Sequence, residues 1–206
     1  MRNDSADGDA RAAVTREAAR KGIHLTSAAV PLALALGVAR NIVVVGLAVL
    51  FAIALVVEIA RHASVTTASR FMRLFAPVLR AHEAHSATGA TWLLGAMLAA
   101  VAILPRDAAI AATWAVAVGD ASAALIGVRF GRHRAGNSGK SLEGSAACAI
   151  TTTLGAMLLA QLSLAESLTL GVIAAVAERA SWPVDDNARI VTLVGASAWL
   201  WSVVLY

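Results

Sequence analysis

The sequence predicts an all-α protein: a polytopic bundle of about seven transmembrane helices in a single domain. Two bulk properties support this prediction. The chain of 206 residues is 59% hydrophobic and only 15% charged, whereas about a quarter of the residues in a soluble domain are charged. Its apolar residues also fall into long runs, and its basic residues gather in alternate connections between those runs. These features indicate membrane spans rather than a soluble core.

A helix needs about 20 apolar residues, with a range of about 17–25, to cross the hydrocarbon core of a bilayer. Seven runs are candidates, of which the sixth is short. The fourth and fifth runs are rich in small residues, which let helix backbones approach closely, so we expect them at the bundle centre. The seven runs are residues 22–38, 42–59, 89–104, 108–128, 145–162, 164–177 and 190–205.

The first 20 residues are polar and of mixed charge, without an apolar run. We expect this segment to be a flexible tail rather than a signal peptide, because the first apolar run leads straight into a second one. The remaining residues, 21–206, are expected to form one transmembrane catalytic domain.

The distribution of basic residues predicts the topology. If the N-terminal tail is inside and the runs alternate, every lysine and arginine lies inside except Arg40 and Arg106. The positive-inside rule then favours an N-in, C-out arrangement. The inner connections are also the long, polar ones. We therefore expect an integral protein of a bacterial or archaeal cytoplasmic membrane, with its functional residues facing the cytoplasm.

The stretch between Gly119 and Ser145 carries the most chemical information. Asp120 lies inside an apolar run, where a carboxylate is costly and needs a partner. A loop with glycines and basic residues follows and leads into the next helix, whose N-terminus favours anions. A carboxylate beside a phosphate-binding loop suggests Mg²⁺. The residues alone leave a second interpretation open, namely a basic inner loop preceded by an aspartate that packs between helices.

This stretch resembles the signature of CTP-dependent lipid kinases, the family of dolichol kinase, phytol kinase and the CTP-dependent diacylglycerol kinase. The family pattern is Asp-x-x-Ala-x-x-x-Gly-x-x-Phe-Gly, a basic loop, and Gly-Lys-[Ser/Thr]-x-Glu-Gly-[Ser/Thr]. The matching positions are Asp120, Ala123, Gly127, Phe130, Gly131, Gly139, Lys140, Ser141, Glu143, Gly144 and Ser145.

Other segments resemble the same family. Glu17-x-x-Arg20-Lys21-x-x-His24 is similar to the segment that opens its first span, and the spacing places these side chains on one helix face. Glu178 followed by Asp185-Asp186-Asn187 is similar to its late acidic element. A weaker likeness is Glu83-x-x-Ser86-x-x-Gly89. The resemblance therefore covers most of the chain.

The resemblance implies transfer of the γ-phosphate of CTP, assisted by Mg²⁺, to a membrane-embedded lipid alcohol: a polyprenol or dolichol, phytol or geranylgeraniol, or diacylglycerol. The implied catalytic residues are Asp120, Lys140, Glu143 and Asp186. The implied metal ligands are Asp120, Glu143, Glu178 and Asp186. The implied nucleotide-binding residues are Arg20, Lys21, His24, Gly127, Arg129, Gly131, Arg132, Gly139, Lys140, Ser141, Gly144, Ser145 and Asn187.

Two other functions are weighed against this one. Phosphatidate cytidylyltransferase has a similar Asp…Gly…Lys-x-x-Glu-Gly stretch and transfers CMP, but its late Lys-Asp…His-Gly-Gly…Asp-Arg-x-Asp signature is missing from this sequence. A small transporter would be expected to contain internal repeats, and none is visible. Nucleic acid is not an expected partner, because the chain lacks a basic stripe interleaved with aromatic residues.

Overall fold

A computed structural model describes residues 15, 19–76, 79, 83, 86–134 and 139–205. Within these ranges the protein is all-helical and contains no β-strand. The predicted all-α class is thereby confirmed. Most of the predicted N-terminal tail, including Glu17, lies outside the described residues.

Helix α1 spans residues 19–35 and includes a 3₁₀ turn at Thr26–Ala28. Helix α5 contains a π-helical turn, Ala115–Gly119. The other helices are regular and follow one another through short connections. They are α2 (Arg40–Ala63), α3 (Val65–Phe75), α4 (Gly89–Ile103), α5 (Arg106–Phe130), α6 (Leu142–Leu158), α7 (Leu164–Arg179) and α8 (Asp186–Leu205).

Each of the seven predicted apolar runs coincides with a helix, but several ends differ, and local capping explains two of them. Helix α1 ends three residues early, because Gly37 adopts φ +90° and Val38 N–H bonds to the Ala33 carbonyl at 2.9 Å. This is the glycine-terminated Schellman arrangement. Helix α6 begins three residues early, because the Ser141 hydroxyl caps it by accepting from Gly144 N–H at 3.1 Å.

Three described helices are long and apolar enough to cross a bilayer by length and composition: α2, α5 and α8. Helix α4 is apolar but shorter. These helices support the assignment of the chain as a membrane protein. Helix α3 differs from these apolar helices because it is short and amphipathic. At helical spacing, Arg70 and Arg73 lie on the side opposite Ala68 and Met72.

Contacts between helix ends show which ends of the helices lie together. At one end of the bundle, Arg40 at the start of α2 donates to the Leu104 carbonyl after α4. Arg106 at the start of α5 donates to the Leu34 and Val38 carbonyls at the end of α1. At the opposite end, Asn187 at the start of α8 donates to the Gly89 carbonyl at the start of α4.

The core is built largely from small apolar side chains, and α6 packs extensively against both α5 and α7. Gly171 of α7 makes the close approach of α6 and α7 possible. A Cβ atom added there would lie 2.6 Å from the Ala149 carbonyl oxygen and 2.2 Å from Thr153 Oγ1. Since a backbone oxygen cannot rotate away, any larger side chain would force the two helices apart.

We predict that Gly171→Ala destabilises the protein by about 1–3 kcal/mol, the usual cost of overpacking a close-packed interface. In a chain of this size the melting temperature should fall by several degrees. The matched control is Gly46→Ala in α2, where an added Cβ meets no atom within 4 Å. Thermal unfolding in one detergent compares the two variants. Equal melting temperatures would contradict the α6–α7 packing.

Candidate functional site

A cavity of about 210 Å³ opens at the end of the bundle that holds the start of α1. Five helices and one loop contribute to it, and four basic side chains and three carboxylates line it. The cavity therefore brings together segments that are more than 160 residues apart in sequence. Its lining residues are Arg20, Lys21, Asp120, Ala123, Ala124, Gly127, Val128, Arg134, Gly139, Lys140, Ser141, Gly144, Ser145, Glu178 and Asp186.

A buried ion pair joins α1 to α5 at the cavity wall. Lys21 Nζ donates to Asp120 Oδ2, and these residues are only 2% and 3% exposed. His24 lies one turn further along α1, with Nε2 3.8 Å from Asp120 Oδ2. The partner that a carboxylate inside an apolar helix requires is thus Lys21.

The π-helical turn lies immediately before Asp120 and shifts the register of α5. Asp120 N–H bonds to the Ala115 carbonyl, five residues back. The Val116 carbonyl inside the turn accepts a hydrogen bond from His24 Nε2 at 2.8 Å. Single π-turns occur frequently at functional sites. Here the turn gives α1 a second polar attachment to α5, beside the ion pair.

A second ion pair crosses the cavity from the loop to α7. Lys140 Nζ lies 2.9 Å from Glu178 Oε1 and also donates to the Glu178 backbone carbonyl. The Glu178 side chain is buried, and its Oε2 accepts no hydrogen bond from the described residues. The C-terminal end of α7 is itself anchored by Arg189, whose Nε donates to the Ala177 carbonyl at 2.6 Å.

The described part of the loop between α5 and α6, residues 131–134 and 139–141, packs against both helices. Leu142 N–H bonds to the His133 carbonyl at 2.8 Å. Gly139 adopts φ +67°, a conformation that favours glycine. A Cβ at Gly144 would lie 2.5 Å from the Ala123 carbonyl oxygen. Gly139 therefore permits the turn and Gly144 permits close contact with α5. The resemblance had assigned both glycines only to nucleotide binding.

The late acidic element divides between two roles. Asp186 is the first residue of α8 and lines the cavity. Asn187 is buried and directs its amide away from the cavity, donating from Nδ2 to the Gly89 carbonyl at 3.2 Å. In this structure Asn187 therefore attaches α8 to α4, next to the residue that faces the cavity.

A buried polar cluster around the C-terminal end of α2 supports the attachment of α8 to α4. The sequence pattern did not connect this cluster with the site. Glu58 accepts from Arg61 Nε at 2.5 Å and from Thr88 N–H at 2.8 Å. Glu83 Oε1 accepts from Gly89 N–H at 2.7 Å. The cluster thus holds the first turn of α4, to which Asn187 bonds. The signal in the sequence was Glu58 itself, a carboxylate near the end of an apolar run.

Six residues that the resemblance assigns to the site lie outside the lining of the cavity: His24 and Asn187, described above, and Arg129, Gly131, Arg132 and Glu143. Arg129 and Arg132 are exposed, and Gly131 packs against Gly127 and Ser141. Glu143 points towards the loop, 2.7 Å from His133 Nδ1. This hydrogen bond lowers the pKa of the Glu143 carboxyl to about 2, so that it stays ionised at neutral pH. The roles that the resemblance assigns to these residues outside the lining remain predictions.

The carboxylates fit one particular mode of metal binding. Among the described residues, no three His, Cys, Asp or Glu side chains are grouped closely enough to hold an ion by themselves. Mg²⁺ usually takes one or two carboxylates and completes its shell with water and substrate phosphates. The Oε2 atom of Glu178, which lacks a hydrogen bond within the described structure, could supply one such ligand. Asp120 and Asp186 line the same cavity.

Comparisons with protein-family models, curated proteins and solved structures find no match to this chain. The kinase resemblance therefore depends on the motif residues alone and remains a prediction.

We predict that Lys21→Met destabilises the protein by about 3–5 kcal/mol, because it leaves the buried Asp120 carboxylate without its cation. The double variant Lys21→Met/Asp120→Asn should recover much of this loss, since neither charge remains. Thermal unfolding of wild type, of Lys21→Met and Asp120→Asn alone, and of the double variant gives the coupling energy between the two side chains. Arg70→Met on exposed α3 is the control and should have little effect. Additive losses in the double variant would show that the pair is not coupled.

Proposed function

We propose that this protein phosphorylates a membrane-embedded lipid alcohol, using the γ-phosphate of CTP and Mg²⁺. The observation that carries the proposal is the cavity. Four segments meet there: α1, the part of α5 that begins at Asp120, the loop that carries Lys140 (the lysine loop), and the late acidic element. These are the segments in which the sequence resembles CTP-dependent lipid kinases. The choice of CTP comes from that resemblance.

The charges in the cavity suit a nucleoside triphosphate. Its four basic side chains exceed its three carboxylates by one charge, and the lysine loop leads into the N-terminus of α6. Helix N-termini and lysines both favour phosphate oxygens. Lys140, Arg134 and Arg20 would contact the phosphates. A bound Mg²⁺ would neutralise phosphate charge, with Glu178 and a second cavity carboxylate as its protein ligands.

In the proposed reaction the hydroxyl oxygen of the lipid attacks the γ-phosphorus. The bond from that phosphorus to the β–γ bridging oxygen breaks, and CDP leaves. The hydroxyl proton passes to a cavity carboxylate, Asp120 or Asp186. Catalysis in such transfers comes mainly from positioning and charge neutralisation, which buried pairs and capped helix ends provide.

The acceptor alcohol would reach this cavity from the membrane. Val128 lines the cavity and is 40% exposed on the outer surface of α5, beside the exposed Leu125. A hydroxyl at the lipid interface would need to move only a short distance past this edge. We propose seven membrane crossings in an N-in, C-out arrangement, with the cavity at the cytoplasmic side, where CTP is present.

The purified protein in detergent should transfer label from γ-labelled CTP to a lipid alcohol when Mg²⁺ is present. Lys140→Ala should lower the rate by about 10²- to 10³-fold, the usual loss when one charge-stabilising donor is removed. Arg73→Ala, at an exposed basic residue of α3 outside the cavity, is the matched control and should retain the wild-type rate. A panel of polyprenols, phytol, geranylgeraniol and diacylglycerol identifies the acceptor.

Parallel reactions with α-labelled CTP separate the two CTP-dependent chemistries. Label that moves to phosphatidate only from the α position would replace the kinase proposal with cytidylyl transfer. If folded protein transfers neither label to any member of the panel, the proposed function is wrong.

The same reaction tests the orientation. Inverted membrane vesicles that contain the protein should phosphorylate the lipid with CTP added from outside, because the cavity would face the medium. Right-side-out vesicles should react only after permeabilisation, since CTP does not cross the bilayer. Equal rates in intact vesicles of both kinds would contradict the N-in arrangement, and activity confined to right-side-out vesicles would reverse it.

A further inference from the structure

We infer that the Lys140–Glu178 pair is an exchangeable latch, which makes nucleotide binding in the cavity conditional on a divalent cation. The identity of the nucleotide rests on the proposed function. The latch itself follows from the geometry and burial of the Lys140 and Glu178 side chains.

Lys140 is a cation in the cavity wall that has room to move. Its side chain is 32% exposed and follows Gly139, whereas Lys21 is buried between two helices. In the resting state Lys140 Nζ donates twice to one residue, to Oε1 and to the backbone carbonyl of Glu178. An ammonium group has only three hydrogens to donate. To bind a phosphate strongly, Lys140 must give up part of its contact with Glu178.

Glu178 cannot lose that cation without compensation. Its side chain is 6% exposed, and Oε2 already accepts no hydrogen bond from the described residues. A buried ionised carboxylate without a counter-ion is strongly unfavourable. When Lys140 moves to a phosphate, a second cation must therefore replace it. A divalent ion carried by the phosphates fits, because it prefers oxygen ligands and already bridges phosphate oxygens.

The exchange balances charge only when both ligands arrive. A nucleotide without metal would take Lys140 and leave Glu178 uncompensated. A metal ion without nucleotide would take Glu178 and leave Lys140 without an anion. Each ligand should therefore strengthen binding of the other, and this coupling must be reciprocal.

The test measures CTP binding to the protein in lipid nanodiscs by titration calorimetry, once in EDTA and once in Mg²⁺. Glu178→Gln keeps the shape of the side chain and removes its charge, which releases Lys140. We expect the variant to bind metal-free CTP at least about fivefold more tightly than wild type, within the usual range for coupled sites. The increase in CTP affinity that Mg²⁺ causes should be smaller in this variant than in wild type by a similar factor. Mg–CTP forms in solution to the same extent in both experiments, so it does not affect the comparison of the variant with wild type.

Glu166→Gln is the matched control. Glu166 is a buried carboxylate near the opposite end of the same helix, outside the cavity. This variant should show the wild-type gain from Mg²⁺. If Glu178→Gln binds metal-free CTP no better than wild type, or only loses binding in Mg²⁺, Glu178 does not hold Lys140 away from the nucleotide and the latch is refuted.

Lys140→Met tests the same latch from the cation side and does not depend on the nucleotide. Freed from Lys140, Glu178 should bind Mn²⁺ without nucleotide at least about fivefold more tightly than wild type, measured by electron paramagnetic resonance. Unchanged Mn²⁺ binding by this folded variant overturns the latch. A wild-type protein that binds no CTP under any condition refutes the proposed function instead, and the Mn²⁺ result still decides the latch.

Discussion

The ion pair between Lys21 and Asp120 is the interaction on which the arrangement of the bundle depends. It connects two residues that are 99 positions apart in sequence and lie on different helices, and both are almost fully buried. Because one unpaired charge there would be very costly, α1 and α5 must meet in a single register. His24 extends the same contact to the π-turn carbonyl of Val116. The register in turn sets where Arg20 and Gly127 lie, so one wall of the cavity follows from this pair.

The same requirement, that polar groups in an apolar bundle find partners, explains the other end of the molecule. Arg40 and Arg106 are the two basic residues that the predicted topology leaves outside. Each donates to backbone carbonyls where a neighbouring helix ends. The last carbonyls of a helix lack the regular partner four residues further on, so each arginine supplies a donor that stabilises the end of another helix. Their departure from the inner-side bias of the basic residues thus has a structural reason.

The apolar runs predicted every described helix except α3, and the motif spacing predicted most of the residues that line the cavity. What could not be predicted depends on contacts between distant segments or on local backbone detail. No proline or polar residue marks the π-turn in Ala115–Gly119. The orientation of Asn187 follows from its bond to Gly89, 98 residues away. The spacing placed Glu143 in the motif, but its contact with His133 is a matter of rotamer and loop path.

The cavity combines a rigid half with a movable half, and burial decides which is which. The rigid half consists of α1 and α5, joined by buried charges, and of the start of α8, held through Asn187 and the Glu58 cluster. The movable half is the side chain of Lys140, whose amine is partly exposed and contacts a carboxylate with an unused oxygen. A site for a highly charged ligand needs both properties. Rigid groups set the position of the reacting atoms without reorganisation, while an exchangeable ion pair keeps both of its own charges compensated before the ligand arrives.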